Sequence, residues 1–287
     1  KKSGKTWDDI IEPNATFQDI DEKTVATFIQ ASEASGRLPN NKGLTVSELF
    51  EKLRLTENGQ LKRAAIILFG KDLGKFYPNT FVKIGSFAKD DSDLKFQETE
   101  EGNLIFLVQA VLNQLNHKFL VRQIEFRGMN RVEKNEYPIF ALRETILNAL
   151  VHRNYMGAPT QIRVYENKIS FWNEGLLPMG LTFEALKGFH ASRPRNVLIA
   201  DVCFKGGYID SWGRGTLKIF DSCKEAKLPE PEIKEFQGGF LVLLFKGNFN
   251  EEHLIKLGLN ARQLKAVQYI KDRAEITNAI YQEINNI

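Results

Sequence analysis

The sequence predicts an α/β (α+β) fold: a mixed sheet covered by helices on one face, preceded by an α/β middle region and followed by C-terminal helices. Three observations predict it. ALRETILNALVHRNY (141–155) places Leu142, Ile146, Leu147, Ala149, Leu150 and Val151 on a broad apolar surface with helical recurrence. QIRVY, KISFW and FLVLLF are short runs rich in β-branched and aromatic residues, set around the tight-turn pairs Glu166-Asn167 and Gly238-Gly239. SWGRGTLKIFDSCKEAKL opens with glycines, continues with helical spacing and is stopped by Pro229 and Pro231.

The elements follow in order. Residues 1–20 read as an extended linker, broken by Pro13 and Asn14. DEKTVATFIQASEASGR reads as a helix with Asp21 as its cap and Gly36 beyond its end. TVSELFEKL and LKRAAIILFG give two more helices, separated by a turn at Asn58-Gly59. TFVKIGSFA alternates as a strand, and GNLIFLVQAVLNQLNHKFLV is a long amphipathic helix. RQIEFRGMNRVEKNEYP reads as a hairpin turning at Gly128-Met129-Asn130, after which Pro138 opens the 141–155 helix near its first turn. NEGLLPMG is a loop, FEALKGF a short helix and PRNVLIADVCF another. The organisation expected is a linker at 1–20, a middle region at 21–134, an α/β domain at 135–249 and C-terminal helices at 250–287.

Composition bounds the function. With 43% hydrophobic and 26% charged residues the chain matches ordinary globular proteins. No apolar run approaches the ~18 residues of a membrane span, so no membrane partner is expected. The formal charge of +3 permits nucleic-acid binding without arguing for it. Cys203 and Cys223 have neither zinc spacing nor a disulfide framework, which points to buried free thiols and a cytoplasmic setting. For SGKT at 3–6 the strand and glycine that a P-loop needs would lie before residue 1, and Trp7 and two aspartates after it make a poor start for an amphipathic helix, while GKDLGK at 70–75 fails the spacing.

The chemistry concentrates in one order of motifs. Glu144, Asn148 and His152 recur every four residues and stack along one side of their helix. Taken alone, such a stripe is a helix edge at a solvent boundary. Asn173-Glu174-Gly175 then ends a hairpin, and Gly213-Arg214-Gly215 precedes a helix whose N-terminus favours an anion.

RETILNALVHRNY, ISFWNEGLLPMGLT, SRPRNVLIADVCFKGGYIDSWGRG and LPEPEIKEFQGGFLVLLF, in that order, resemble the GHKL (Bergerat) ATPase fold, which gyrase and histidine kinases share. They are most similar to the divergent ATPase-like domain of transcriptional regulators labelled RecG-related helicases. The likeness covers 135–247 and extends loosely over the middle region through RLTENGQLKRAAIILFGKD. In that family a Schlafen/AlbA-type domain comes first, so the chain is expected to begin after it. The resemblance implies ATP and Mg²⁺ as ligands. It makes Asn148 the residue that helps hold Mg²⁺ with the phosphates and Glu144 the general base that activates water. Gly175 would allow close approach to the base. Gly213 and Gly215 would lie beside the phosphates, with Arg214 and Arg193 as charge partners. Asn173 stands where the fold usually has the Asp that reads the adenine amino group, a departure that removes the charge.

LNARQLKAVQYIKDR and ITNAIYQEINNI resemble the opening of a winged helix-turn-helix, with Arg262, Lys265, Lys271 and Arg273 as candidate phosphate contacts; a C-terminal helical pair packed on the core is the plainer reading. The resemblance therefore implies a transcriptional regulator whose ATP-binding domain is coupled to a DNA-binding winged helix and which is able to form a homodimer. A weak ATPase activity is compatible with Glu144, whereas a DNA helicase motor is not expected without a P-loop. The alternative is a non-catalytic scaffold or dimerisation module with a degenerate nucleotide pocket.

Overall fold

A computed structural model describes residues 4–88, 90–127, 130–178, 180–188, 190–210, 213–247, 254–255, 258–273 and 276–287. The first helices are α1 (Glu22–Ser35), α2 (Val46–Lys52) and α3 (Arg63–Phe69). Asp21 caps α1 by accepting from the backbone N–H of Lys23 and Thr24, and Gly36 ends it in the left-handed region, as the sequence predicts. Two-residue strands β1 (Thr56–Glu57) and β2 (Gln60–Leu61) pair across Asn58-Gly59, both at positive φ. β3 (Val82–Phe87) and β4 (Leu94–Glu100) form a hairpin, followed by α4 (Leu104–Gln114) and a π-turn at Leu115–Phe119. The long helix read over 102–121 is thus two pieces, capped by Asn103 accepting from Phe106 N–H.

β5 (Arg122–Arg127) and β6 (Asn130–Asn135) pair as an antiparallel hairpin; its expected turn residues Gly128 and Met129 lie outside the described residues. Then come α5 (Ile139–His152), β7 (Thr160–Val164), β8 (Lys168–Glu174), α6 (Val197–Lys205), α7 (Arg214–Glu225), β9 (Glu232–Phe236) and β10 (Gly239–Phe245). FEALKGF, expected as a helix, makes only one 3-10 turn at Ala185–Lys187. The last turn also sits one residue earlier than read: Gln237 and Gly238 carry positive φ, and Gly239 is already in β10. The chain ends with α8 (Ala261–Arg273) and α9 (Asn278–Asn285).

Six strands form one mixed sheet in the order β4-β3-β7-β8-β10-β9, antiparallel except where β3 runs parallel to β7. Register aligns Ile84, Ile162, Phe171, Val242 and Ile233 in one row across five strands. That row faces α5, which lies against β8 and against α7. Each large apolar side chain so buried stabilises the fold by about 1.5–3 kcal/mol. The core is one contiguous cluster running from Ile20 to Leu244, and it includes Leu142, Leu147 and Leu150 of α5. On the opposite face Leu241, Leu243 and Phe245 form a second, smaller cluster with Trp172.

The segment read as a linker is docked over its described part. Trp7 stacks on Tyr155 with ring centroids 5.5 Å apart and meets Tyr77 edge-on at 5.2 Å. The fully buried Asp8 accepts from Ile199 N–H at 2.9 Å and so caps α6. Ile11 bridges Lys62 and Ile20 bridges Gly70. No helix among the described residues is long and apolar enough to cross a membrane.

Candidate functional site

The stripe on α5 opens onto a cleft of about 1020 Å³, counted to its open mouth. One wall is α5, with Glu144, Thr145, Asn148 and His152. The sheet supplies Asn173, Phe240, Val242 and Ile233. The loop after β8 contributes Gly175, Leu176, Pro178, His190, Arg193 and Arg195 among others, and α7 contributes Gly215, Thr216 and Ile219. Glu144, Asn148, Asn173, Gly175, Arg193, Gly213 and Gly215, scattered over seventy residues of sequence, therefore meet at one cavity. Arg214 does not: it is exposed on the first turn of α7.

Glu144 is 5% exposed and accepts from Asn148 Nδ2 at 3.3 Å. Burial raises its carboxyl above the usual value of 4.5, with the nearby Arg143 charge pulling the other way. It lies hard against α7: a Cβ on Gly215 would come within 1.9 Å of its Oε1. The Gly-x-Gly pattern thus has two separate physical reasons. Gly215 gives room to the carboxylate. Gly213 caps α7 with φ +65° and packs against His190, whose carbonyl would be 2.5 Å from a Cβ.

His152 is half-buried, and burial, then the Arg195 charge, holds its imidazole down to about 4. Arg195 Nη2 donates to Leu176 O at 2.8 Å and its guanidinium lies 3.1 Å from where a Gly175 Cβ would stand. Gly175 has φ +130°, a conformation that favours glycine, and a Cβ there would need Arg195 to give by only a few tenths of an ångström. Glu174, its neighbour, turns away from the cleft: its carboxylate accepts from Asn154 Nδ2 at 3.0 Å and Ala158 N–H at 2.7 Å, pinning the loop that follows α5. Asn196 holds the end of α5 by donating to the carbonyls of Val151 and Arg153 at 2.8 and 3.0 Å.

Sequence reasoning missed several lining residues. Asp210 bonds Arg37, just beyond the end of α1, at 2.9 Å and pairs with Lys218 of α7, and the Lys218 hydrogen bond, then that of Arg37, keeps its carboxyl below the usual range. His190, Ser192, Arg195 and Thr216 also reach the cleft. The Gly that follows Trp212 was a signal for Asp210, since it marks the turn into α7, but the partner Arg37 lies far away in sequence. Among the described residues no cluster of His, Cys, Asp and Glu is able to hold a metal by itself. A Mg²⁺ here needs ligands from a bound phosphate, which is the usual arrangement for that ion. Asn148 fits such a site, because its Nδ2 is turned to Glu144 and its Oδ1 has no protein partner among the described residues. Cys203 and Cys223 are both buried free thiols, pushed up to about 12 and about 11 by burial.

With this geometry in place, the comparisons are specific. A search of curated proteins finds no match. In fold, the chain is similar to the DIP2311 protein of Corynebacterium diphtheriae, with a TM-score of 0.69 and 21% identity. That likeness covers 85% of this chain but 48% of the other, so the chain spans about half the length of the protein it matches. Residues 157–244 match the HATPase_c_4 family model, described as "Putative ATP-dependent DNA helicase recG C-terminal". The matched segment carries Asn173, Gly175, Arg193 and Gly213 to Gly215, while Glu144 and Asn148 lie on the helix before it. The β7–β10 part of the sheet, with its cleft loop and α7, is therefore similar to a RecG-type ATPase-like domain.

Proposed function

We propose that the cleft binds a nucleoside triphosphate with Mg²⁺, and that bound nucleotide biases the conformation or assembly of a transcriptional regulator. One observation carries this reading. A single cavity joins an apolar sheet wall (Phe240, Val242, Ile233) to a polar wall holding Glu144, Asn148 and the first turn of α7. The apolar wall suits a planar base, and helix-terminal N–H groups suit phosphate. The likeness of residues 157–244 to an ATPase-like domain supports the same reading. Asn148 would hold Mg²⁺ through its carboxamide oxygen. Mg²⁺ supplies neutralisation of phosphate charge. Gly213 and Gly215 would line the phosphates, with Arg193 as a cation lining the same cleft.

Glu144 is the candidate general base. A carboxyl raised by burial is better matched to taking a proton near neutral pH than an ordinary one. Turnover by this group would make the protein a weak ATPase. Nothing in the chain supplies a helicase motor's P-loop. In a longer protein α8 and α9 would begin a DNA-binding winged helix, with the exposed Arg262 and Lys265 facing phosphates; a homodimer would align two such units.

A scaffold that has lost its ligand is the competing reading, and one experiment separates the two. Thermal stability is measured with and without Mg-ATP or Mg-ADP. A ligand at 100 times its Kd stabilises by ~2.7 kcal/mol. The expected result is such a shift, and its loss in Asn148→Ala. Folded protein that shows no shift at millimolar nucleotide is the scaffold.

A further inference from the structure

Asn173 is the polar exception on the apolar wall. It lies on β8 directly opposite Phe240 of β10, on the face that carries Val242 and Ile233, and it is 3% exposed. A carboxamide offers a donor and an acceptor side by side, whereas a carboxylate only accepts. Buried amides need partners, and this one is poorly supplied. Its Nδ2 donates to Glu174 O at 3.4 Å, the long limit of a hydrogen bond. That carbonyl already accepts the Asn154 backbone N–H at 2.7 Å, so it loses little if the amide turns over. Asn173 Oδ1 has no protein partner among the described residues. One long hydrogen bond is therefore all that favours the present orientation of the amide.

Resting on the nucleotide-binding reading above, we propose that Asn173 makes the cleft a purine site that does not distinguish 6-amino from 6-oxo bases. In one orientation Oδ1 accepts from an exocyclic amino group and Nδ2 donates to a ring nitrogen, as with adenine. In the other, Nδ2 donates to a 6-oxo group and Oδ1 accepts from the adjacent ring N–H, as with guanine or hypoxanthine. A carboxylate at the same place only accepts, so on either edge it would match one group and set a lone pair against the other. Only a side chain that both donates and accepts completes the pair with either purine, and a buried pair left unmatched costs binding strongly.

The test uses the whole chain and calorimetric Kd values for Mg-ATP, Mg-GTP, Mg-ITP and inorganic tripolyphosphate. The expected result is that the three purine nucleotides bind within about fivefold of each other and all bind tighter than tripolyphosphate, because the base is held by its edge and by apolar contact. Asn173→Asp, which donates to neither edge, weakens Mg-ATP and Mg-GTP alike, by about tenfold each. A wild-type preference for ATP above about thirtyfold overturns the proposal while leaving nucleotide binding intact, and so does tripolyphosphate binding as tightly as nucleotide. Binding of none of them by folded protein removes the underlying reading and this one with it. If Asn173→Asp does not fold, the wild-type ratios alone decide.

Discussion

Glu144 and His152 stand on the same face of α5, and folding favours the neutral form of both, with opposite consequences for pH dependence. For Glu144 the neutral form is protonated, so its folded pKa is raised. Its favourable contribution is present below 4.5 and is lost as pH rises through the higher folded value. For His152 the neutral form is deprotonated, and its folded pKa falls from 6.5 to about 4. Its contribution is present above 6.5 and is lost as pH falls towards 4. Between those limits the two partly cancel in the wild type, and removing one exposes the other. Glu144→Gln keeps an acceptor for Asn148 but cannot ionise. It is expected to unfold at higher denaturant than wild type at pH 7.5, with the advantage vanishing below pH 4.5. Denaturant titrations at a series of pH values measure this. A variant equal to or weaker than wild type at pH 7.5 means that the carboxylate is held by something other than a desolvated cleft wall.

At the scale of elements, the first turn of α7 bears two requirements at once. Gly213 needs positive φ and also the space of a missing Cβ, since His190 O would be 2.5 Å away. Gly238, in the β9–β10 turn, has φ +72° and nothing within 4 Å of a Cβ. Gly213→Ala should therefore cost about 2–4 kcal/mol, and Gly238→Ala only about 1 kcal/mol. Equal losses in chemical unfolding would show that α7 shifts to admit the methyl. These glycines also show what is legible in sequence. α5, α7 and the β7–β8 and β9–β10 hairpins announce themselves because apolar spacing, proline stops and turn glycines are local signals. β4 (LKFQETE) does not: it is an edge strand with Leu94 and Phe96 exposed, so no buried face imposes alternation on it. The π-turn after α4 hides in a continuous apolar pattern for the same reason. In the cleft, the residues on regular elements (Glu144, Asn148, Asn173) follow from periodicity and motif order. Asp210, His190 and Arg195 come from loops, and their directions are set by distant partners such as Arg37, which no local pattern reveals.

At the scale of the molecule, similarity and cooperativity have different boundaries. The family match begins at residue 157 and the GHKL-like reading at 135, yet β3 from the preceding region pairs in parallel with β7, and β4 extends the same sheet. Removing residues 1–134 would strip β7 of its neighbour and uncover Leu142, Leu147 and Leu150 where they pack in the shared core. It would also free two buried anchors. Asp8 would no longer cap α6, and Arg153 would lose the carbonyls of Asn79 and Thr80, to which it donates at 2.6 and 3.3 Å. A buried guanidinium left with only the Ala158 carbonyl, to which it donates at 3.0 Å, costs up to several kcal/mol, a large part of the stability of any domain. A fragment of residues 135–249 is therefore expected to be unfolded or molten, without dispersed amide signals in NMR and without a cooperative melt. The whole chain, in contrast, should unfold its sheet and core in one calorimetric transition. Asp8→Ala should lower the stability of that transition by about 1–2 kcal/mol without splitting it, since the cap ties the N-terminal segment to α6 and both belong to one core. A cooperative melt in the isolated 135–249 fragment would show that β3 and α1 to α4 are accessories, and that the cleft is built by an autonomous unit.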